Sequence, residues 1–280
     1  MPKVASAKSR PKTVQMSEAA PDPPLLDFRN ITVYRGETLA LDGVSLSIPC
    51  GQHLAIIGPN GSGKSTLIRT MMRYDHPVRR YGPVMKLFGR SDWHVHDMRK
   101  LIAVVSNELV QACSKSATGR SVVLSGYYSS FELWPQHPVT NEMEARGEEV
   151  LRLMHAEHLR DKPVNAMSTG EAKRVVIGRA LVNEPRALLL DEPSNGLDLR
   201  AAIELRDTLR RIAALGTSLI YVTHHLPDII PEVSRVILLK NGRLHADGPK
   251  ERLLANDVLS QVYGTAIEVE TKGGYYNCWA

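Results

Sequence analysis

One nine-residue stretch limits the fold of this 280-residue chain more than any other feature. Gly58-Pro59-Asn60-Gly61-Ser62-Gly63-Lys64-Ser65-Thr66 follows directly on the apolar run His53-Leu54-Ala55-Ile56-Ile57 and opens a helical pattern at Lys64. A buried strand, a glycine-rich turn and a helix in this order make a cradle for phosphate. Glycines let the main-chain N–H groups point inward, and the helix N-terminus adds a favourable dipole. The spacing G-x-x-x-x-G-K-[S/T] assigns Lys64 to the β- and γ-phosphates and the Ser65 hydroxyl to Mg2+. Nucleotide binding is the reading, with an ordinary strand-to-helix turn as the alternative.

The composition leaves room for that fold. With 43% hydrophobic and 23% charged residues, the chain can build one large domain or two small ones, which excludes a disordered or fibrous protein. Cys50, Cys113 and Cys278 are too scattered for a secreted disulfide scaffold or a C-x2-C zinc site, so a reducing compartment is expected. The longest stretch free of Lys, Arg, Asp and Glu, from Gly43 to Gly63, is broken by Pro49, Gln52, Pro59 and Asn60, and the next, from Ile212 to Pro227, includes His224 and His225. Neither holds the roughly 18 apolar residues that a membrane span requires, so the chain is not expected to cross a bilayer by itself. A net charge of +5 invites a nucleic-acid reading. However, Lys3, Lys8, Arg10 and Lys12 against Glu18 and Asp22 put +2 of it in the first 24 residues. The remainder does not define a groove, and no direct contact with nucleic acid is expected.

Residues 1–24 carry Pro2, Pro11, Pro21, Pro23 and Pro24 and almost no bulky apolar side chain, which predicts a flexible tail without a secretory signal. From Leu25 onward Phe28, Ile31, Val33, Leu41, Val44, Leu46 and Ile48 alternate as in strands, predicting an antiparallel β layer with turns at Gly36 and Gly51. Further strands are expected at Ile102 to Val105, Ala187 to Asp191, Leu219 to Thr223 and Val236 to Lys240, the last entering a hairpin at Asn241-Gly242. Strands alternating with helices indicate a parallel sheet with crossover helices. Residues 109–165, and Glu142 to His158 above all, follow a helical pattern that suggests an inserted helical subdomain.

Chemistry gathers again at Ala187-Leu188-Leu189-Leu190-Asp191-Glu192-Pro193, an apolar strand that ends in two carboxylates. Beside a phosphate loop, Asp191 is suited to the Mg2+ shell and Glu192 to activating the attacking water as general base. A strand end with a solvated turn is the bland alternative.

With further stretches in the same order, these elements resemble the ATP-binding-cassette (ABC) nucleotide-binding domain from about Leu25 to the C-terminus. Met167-Ser168-Thr169-Gly170-Glu171 is similar to the family's L-S-G-G-Q signature, with Thr169 for a glycine and Glu171 for the glutamine. Asn195-Gly196-Leu197-Asp198 resembles the loop after the acidic strand, His224 the switch histidine that senses the γ-phosphate, and Tyr34 the aromatic residue that stacks on adenine. Asn107, in Val104-Val105-Ser106-Asn107-Glu108, stands where the family carries a glutamine directed at Mg2+ or the lytic water; it keeps the amide on a shorter stem. Plainer readings stand beside these. Ser168 and Glu171 also form a helix capping box ahead of Val175, Val176 and Ala180, Tyr34 could pack in a core, His224 could simply end a strand, and His225 reads as structural.

The resemblance implies an α/β P-loop NTPase fold over residues 25–280, with a mainly parallel central sheet, an N-terminal antiparallel β layer and the helical insertion. It implies ATP and Mg2+ as cofactors. Lys64, Glu192 and His224 would be catalytic; residues Gly58 to Thr66 with Tyr34, Asn107, Ser168, Gly170 and Asp198 would hold nucleotide; Ser65, Asp191 and Asn107 would face the metal. One loop and one signature per chain imply a second cassette that completes each site, as a homodimer or with another cassette. Val122-Val123-Leu124-Ser125-Gly126-Tyr127-Tyr128, the S-T-G-E signature and Gly273-Gly274-Tyr275-Tyr276 are similar to the bacterial molybdenum-transport-type (ModF/YlmA-like) ATP-binding proteins. The function this implies is the ATPase subunit of a transporter, cytoplasmic and peripheral on the inner face of the membrane through a separate permease docked around Asn107 to Tyr128. A soluble ATP-driven switch acting on a protein or nucleic-acid partner is the alternative; a cassette that binds ATP without turnover fits less well with Lys64, Asp191 and Glu192 all present.

Overall fold

A computed structural model describes residues 22–113 and 115–280; the tail expected over residues 1–24 lies almost wholly outside them. In chain order the elements are β1 (Leu26–Arg35), β2 (Thr38–Ile48), β3 (Leu54–Ile57), α1 (Lys64–Met71), β4 (Val84–Leu87), α2 (Val95–Leu101), β5 (Ile102–Val105), α3 (Asn107–Ala112), α4 (Gly119–Ser125) and α5 (Asn141–Leu153). They continue with α6 (Thr169–Leu181), β6 (Ala187–Asp191), α7 (Leu199–Ala214), β7 (Ser218–Thr223), β8 (Arg235–Lys240), β9 (Arg243–Pro249), α8 (Lys250–Leu253), α9 (Asn256–Tyr263), β10 (Glu268–Lys272) and β11 (Tyr275–Trp279).

The central sheet has the order β5-β6-β7-β3-β8-β9 and is parallel except for β9, which returns antiparallel to β8. Asn241 and Gly242 both adopt positive φ (51° and 74°), the geometry that a two-residue hairpin needs, so the Asn-Gly signal is realised. A second sheet, β2-β1-β4, is antiparallel and forms the front layer. Its third strand, Val84-Met85-Lys86-Leu87, is too short and too mixed to show alternation in sequence.

Sheet strands that read as unbroken apolar runs do so because both faces are covered. Leu54, Ile56, Leu189, Ile220, Val222 and Ile237 join Phe28, Ile31, Val33, Leu41 and Val44 of the front layer and Leu67, Ile68 and Met71 of α1 in one core. Their sequence neighbours Ala55, Ile57, Leu188, Leu190, Leu219, Tyr221, Val236 and Leu238 face the other way, into a core shared with α4 to α7. Each fully buried aliphatic side chain contributes about 1.5–3 kcal/mol, so the period-2 alternation fixes the register of the whole sheet.

Among the described residues no strand lies between β5 and β6, in keeping with a helical insertion there. Its longest predicted helix is shorter than expected: α5 ends at Leu153, and His155 turns left-handed (φ 50°) before a 3-10 turn at Glu157–Leu159. The chain closes with the two-stranded hairpin β10–β11 around Gly273-Gly274, which packs beside the 3-10 turn Leu226–Asp228. No described helix is long and apolar enough to cross a membrane.

Candidate nucleotide site

The parallel strands bring their carboxyl ends to one edge, the place where open α/β sheets bind ligands. β3 delivers Gly58 to Thr66 there, β6 delivers Asp191 and Glu192, β7 delivers Thr223 and His224, and β5 leads into Asn107.

The phosphate loop is fastened by its neighbours. Gly242 N–H donates to Ser62 C=O (3.0 Å) and Asp42 N–H to Gly242 C=O (2.9 Å), while Ser62 N–H closes on Pro59 C=O (3.1 Å). Gly58 is packed so tightly that a Cβ would overlap the Leu239 carbonyl oxygen, and Gly63, at φ 103°, would place one 2.6 Å from Ala40 C=O. Pro59 is half-buried, and Asn60 and Gly61 are exposed at the crest. Helix α1 starts with no side chain capping it and no acidic residue in its first turn, so its leading N–H groups are free to meet an anion. Lys64, only 8% exposed, folds back to donate to Gly58 C=O (2.7 Å) and Pro59 C=O (3.1 Å). Burial lowers its pKa, opposed by the charges of Glu192 and Asp191. The Ser62 hydroxyl is buried inside this cradle without a partner among the described residues, Ser65 is exposed, and Thr66 is buried.

Across from the loop, Asp191 has its pKa pushed up to about 6, by burial first, then by Glu192 and Glu108, with Lys64 opposing. A carboxylate so poorly solvated is suited to a cation. Among the described residues no three or more His, Cys, Asp or Glu gather as a metal cage. A divalent ion would therefore rest on Asp191 and Ser65 and take its remaining oxygens from nucleotide phosphates and water, as Mg2+ does in phosphoryl-transfer sites.

Glu192 adopts φ 48°, rare for a residue with a side chain, with its N–H donating to Val222 C=O (2.8 Å). Its Oε1 lies 2.7 Å from His224 Nδ1, and its Oε2 lies 3.2 Å from the Thr223 hydroxyl. That hydroxyl is also 3.1 Å from Oδ2 of buried Asp228, whose Oδ1 meets His225 Nδ1 (3.1 Å) and raises the His225 pKa. The carboxylate is thus aimed by a chain of side chains, of which Thr223 and Asp228 belong to no local motif and were not read from the sequence.

Tyr34 is 43% exposed at the end of β1, which removes the core-packing alternative. It pairs with Leu39, next to the Ala40 that abuts Gly63. Asn107 is the first residue of α3, behind the Ser106 cap, and its neighbour Glu108 adds, after Glu192, to the field that reaches Asp191. Ser168, Gly170 and Asp198 are not with the loop. They line a pocket between α6 and α7. There Ser168 and Glu171 do form the capping box, Ser168 N–H donating to Glu171 Oε2 (2.7 Å) and Glu171 N–H to Ser168 Oγ (3.2 Å). Asp198 caps α7 by accepting from Ala201 N–H (2.8 Å), and Gly170 allows the two helix ends to meet at Ala201.

The family model described as ABC transporter matches residues 41–195, more than half of the chain. The chain belongs to the ABC transporter family. This cassette is 34% identical over 265 residues to the hemin import ATP-binding protein HmuV of Streptomyces coelicolor, an alignment covering 93% of this chain and 90% of that one. It is 30% identical over 250 residues to the uncharacterized ABC transporter ATP-binding protein YlmA of Bacillus subtilis, covering 88% and 93%. Its fold is similar to a dimeric bacterial ABC transporter cassette, with a TM-score of 0.67 at 25% identity over 80% of this chain and 98% of that one. As an ABC cassette the chain is an ATPase domain that binds ATP and ADP. The fold is the P-loop NTPase fold that the resemblance implied.

Proposed function

We propose that this cassette is the ATP-hydrolysing subunit of a membrane transporter, closing with a second cassette to energise a separate permease. The observation that carries the reading is the opposition of Lys64 and its uncapped helix to a Glu192 carboxylate already aimed by His224 at 2.7 Å. Lys64 and the loop amides bind the β- and γ-phosphates, and Tyr34 offers its ring to the adenine. Glu192 accepts a proton from the attacking water at Oε1 or Oε2, and His224 orients that carboxylate and faces the γ-phosphate. Ser65 and Asp191 would hold Mg2+, which when bound would supply charge neutralisation on the phosphates. Asn107, one bond shorter than a glutamine, contributes through water. Ser168 and Gly170 of a second copy, at the capped α6 N-terminus, complete the γ-phosphate site, with Asp198 at the adjoining turn.

Residues 25–280 act as one ATPase domain, with the helical region 109–165 and its flank from Asn107 to Tyr128 as the permease-facing part. Lacking a membrane-spanning helix among its described residues, the cassette reaches the membrane as a peripheral subunit on the cytoplasmic face. Support comes from relatives named as import ATP-binding proteins and from a cassette solved as a dimer. Lys64→Ala is expected to abolish ATP binding, and Glu192→Gln to bind ATP while losing on the order of 10²–10⁴ in kcat. Unchanged turnover in Glu192→Gln removes the general-base assignment; a protein that never co-purifies with membranes when its neighbouring genes are co-expressed favours the soluble switch.

A further inference from the structure

Of the two buried lysines among the described residues that the catalytic scheme leaves unused, Lys173 is more deeply buried than Lys250. It sits one turn into α6, is 2% exposed, and makes no ion pair with a carboxylate among the described residues. Its ammonium instead donates to two main-chain carbonyls, Pro193 C=O at 2.7 Å and Asn195 C=O at 2.9 Å. Apart from the more distant charge of Asp228, its only compensation among the described residues is these neutral carbonyls, which makes burying the ammonium expensive, and a methionine of similar length would fill the same volume without that cost. The arrangement therefore needs a reason beyond stability.

The two carbonyls flank Ser194 in the turn that begins with Glu192. That turn starts in the left-handed region, at φ 48°, and closes through Asn195 N–H to Glu192 C=O (3.2 Å) and Leu197 N–H to Ser194 C=O (3.0 Å). A side chain in this backbone region holds its direction only when its surroundings over-determine it. On one side the Glu192 N–H is fixed to Val222; on the other, the following carbonyls are fixed by Lys173. The helix that carries Lys173 is the one whose first turn holds Ser168 and Gly170. A single side chain thus ties the part of the chain offered to a second copy to the carboxylate that serves the chain's own nucleotide.

We infer that Lys173 is a positioning residue for hydrolysis, clamping the Pro193–Asn195 carbonyls so that Glu192 is aimed at water and stays coupled to the α6 N-terminus of the same chain. The inference rests on the two-cassette reading given above. The Lys173 ammonium is taken up by the Pro193 and Asn195 carbonyls, so its removal is expected to change the chemical step and leave nucleotide affinity alone.

The test is steady-state kinetics of full-length Lys173→Met and Lys173→Arg beside the wild type, with ATP affinity measured by a fluorescent ATP analogue and folding by thermal melting. For Lys173→Met the expectation is a fall in kcat of about 30-fold or more with KM and analogue affinity within about threefold. Lys173→Arg, which keeps two donors, recovers a large part of kcat. A kcat for Lys173→Met within threefold of wild type overturns the inference, as does a loss of turnover that tracks equally with lost affinity and lost melting temperature. If Lys173→Met fails to fold, Lys173→Gln is judged by the same thresholds.

Mixed dimers separate the inference from the reading beneath it. Ser168→Arg mixed with Glu192→Gln regains turnover, because one composite site keeps a working signature and a working Glu192; failure of this control brings down the two-cassette reading while the Lys173→Met kinetics still judge the clamp. Lys173→Met mixed with Glu192→Gln stays inactive if Lys173 serves Glu192 of its own chain. Recovery of turnover in that pair assigns Lys173 to the neighbour's site and overturns the inference.

Discussion

Glu171 shows how one side chain serves two levels at once. Its carboxylate accepts from Lys162 Nζ (2.8 Å) and from Ser168 N–H (2.7 Å), and these contacts, the Lys162 bond first, hold its pKa down at about 2 against an ordinary 4.5. Because the folded state then binds fewer protons than the unfolded chain between those values, the contribution is complete above about pH 4.5 and is lost as pH falls toward 2. A Glu171→Gln variant, which restores the family's residue, should show a shallower loss of melting temperature than wild type across that window and a lower melting temperature at neutral pH. Equal acid slopes in the two proteins would contradict the Lys162 pairing. Residues of this kind were legible in the sequence because the S-x-x-E spacing is local. Lys64, Ser65, Asp191 and Glu192 were legible for the same reason, each standing in a short motif at a strand end. Thr223, Asp228, Glu108 and Lys173 were not, since what they do depends on which strand ends the sheet order places side by side.

At the scale of elements, the loop between β3 and α1 is constrained by what lies behind it rather than by its own turn chemistry alone. Gly58 packs against the carbonyl of Leu239 on β8, and rigid backbone cannot move aside for a methyl group as a flexible side chain can. Gly61 has nothing within 4 Å of its would-be Cβ and is constrained only by φ 78°. Alanine should therefore cost about 1–3 kcal/mol at Gly58 by overpacking, and closer to 1 kcal/mol at Gly61 by strain alone. Denaturant melts of the two variants check this, and a Gly58→Ala protein no less stable than Gly61→Ala would be inconsistent with the packing described. The elements themselves were readable where apolar periodicity is long: the front layer, the sheet strands and the Asn241-Gly242 hairpin stand where the alternation puts them. Strand β4 escaped notice because four residues with Lys86 among them carry no periodicity, and α5 stops short because His155 adopts a backbone that no pattern of apolar residues announces. The C-terminal hairpin is marked in the sequence only by Gly273-Gly274, which take positive φ at its turn.

For the whole molecule, the decisive fact is that the two halves of the candidate site do not meet within one chain. Lys64, Asp191, Glu192 and His224 assemble at the sheet edge, while Ser168, Gly170 and Asp198 line a pocket between α6 and α7. On the function proposed above, each half would lack among the described residues what the other offers: the first would have a cradle and a base without a donor facing the γ-phosphate, and the second a capped helix N-terminus without a loop opposite it. A second copy turned to face the first would satisfy both deficits twice over, as a closed two-fold arrangement requires. ATP would then act as the glue between chains, and hydrolysis as its release. Glu192→Gln, expected to bind ATP without cleaving it, should sediment as a dimer in saturating ATP and Mg2+ and as a monomer without nucleotide. Adding Ser168→Arg to the same chain places a bulky cation at the helix end and should return it to monomer in ATP, although its own phosphate loop is intact. A Glu192→Gln chain that stays monomeric in saturating ATP and Mg2+ would show that the two halves work apart, and the reading of this cassette as one side of a closing pair would have to be given up.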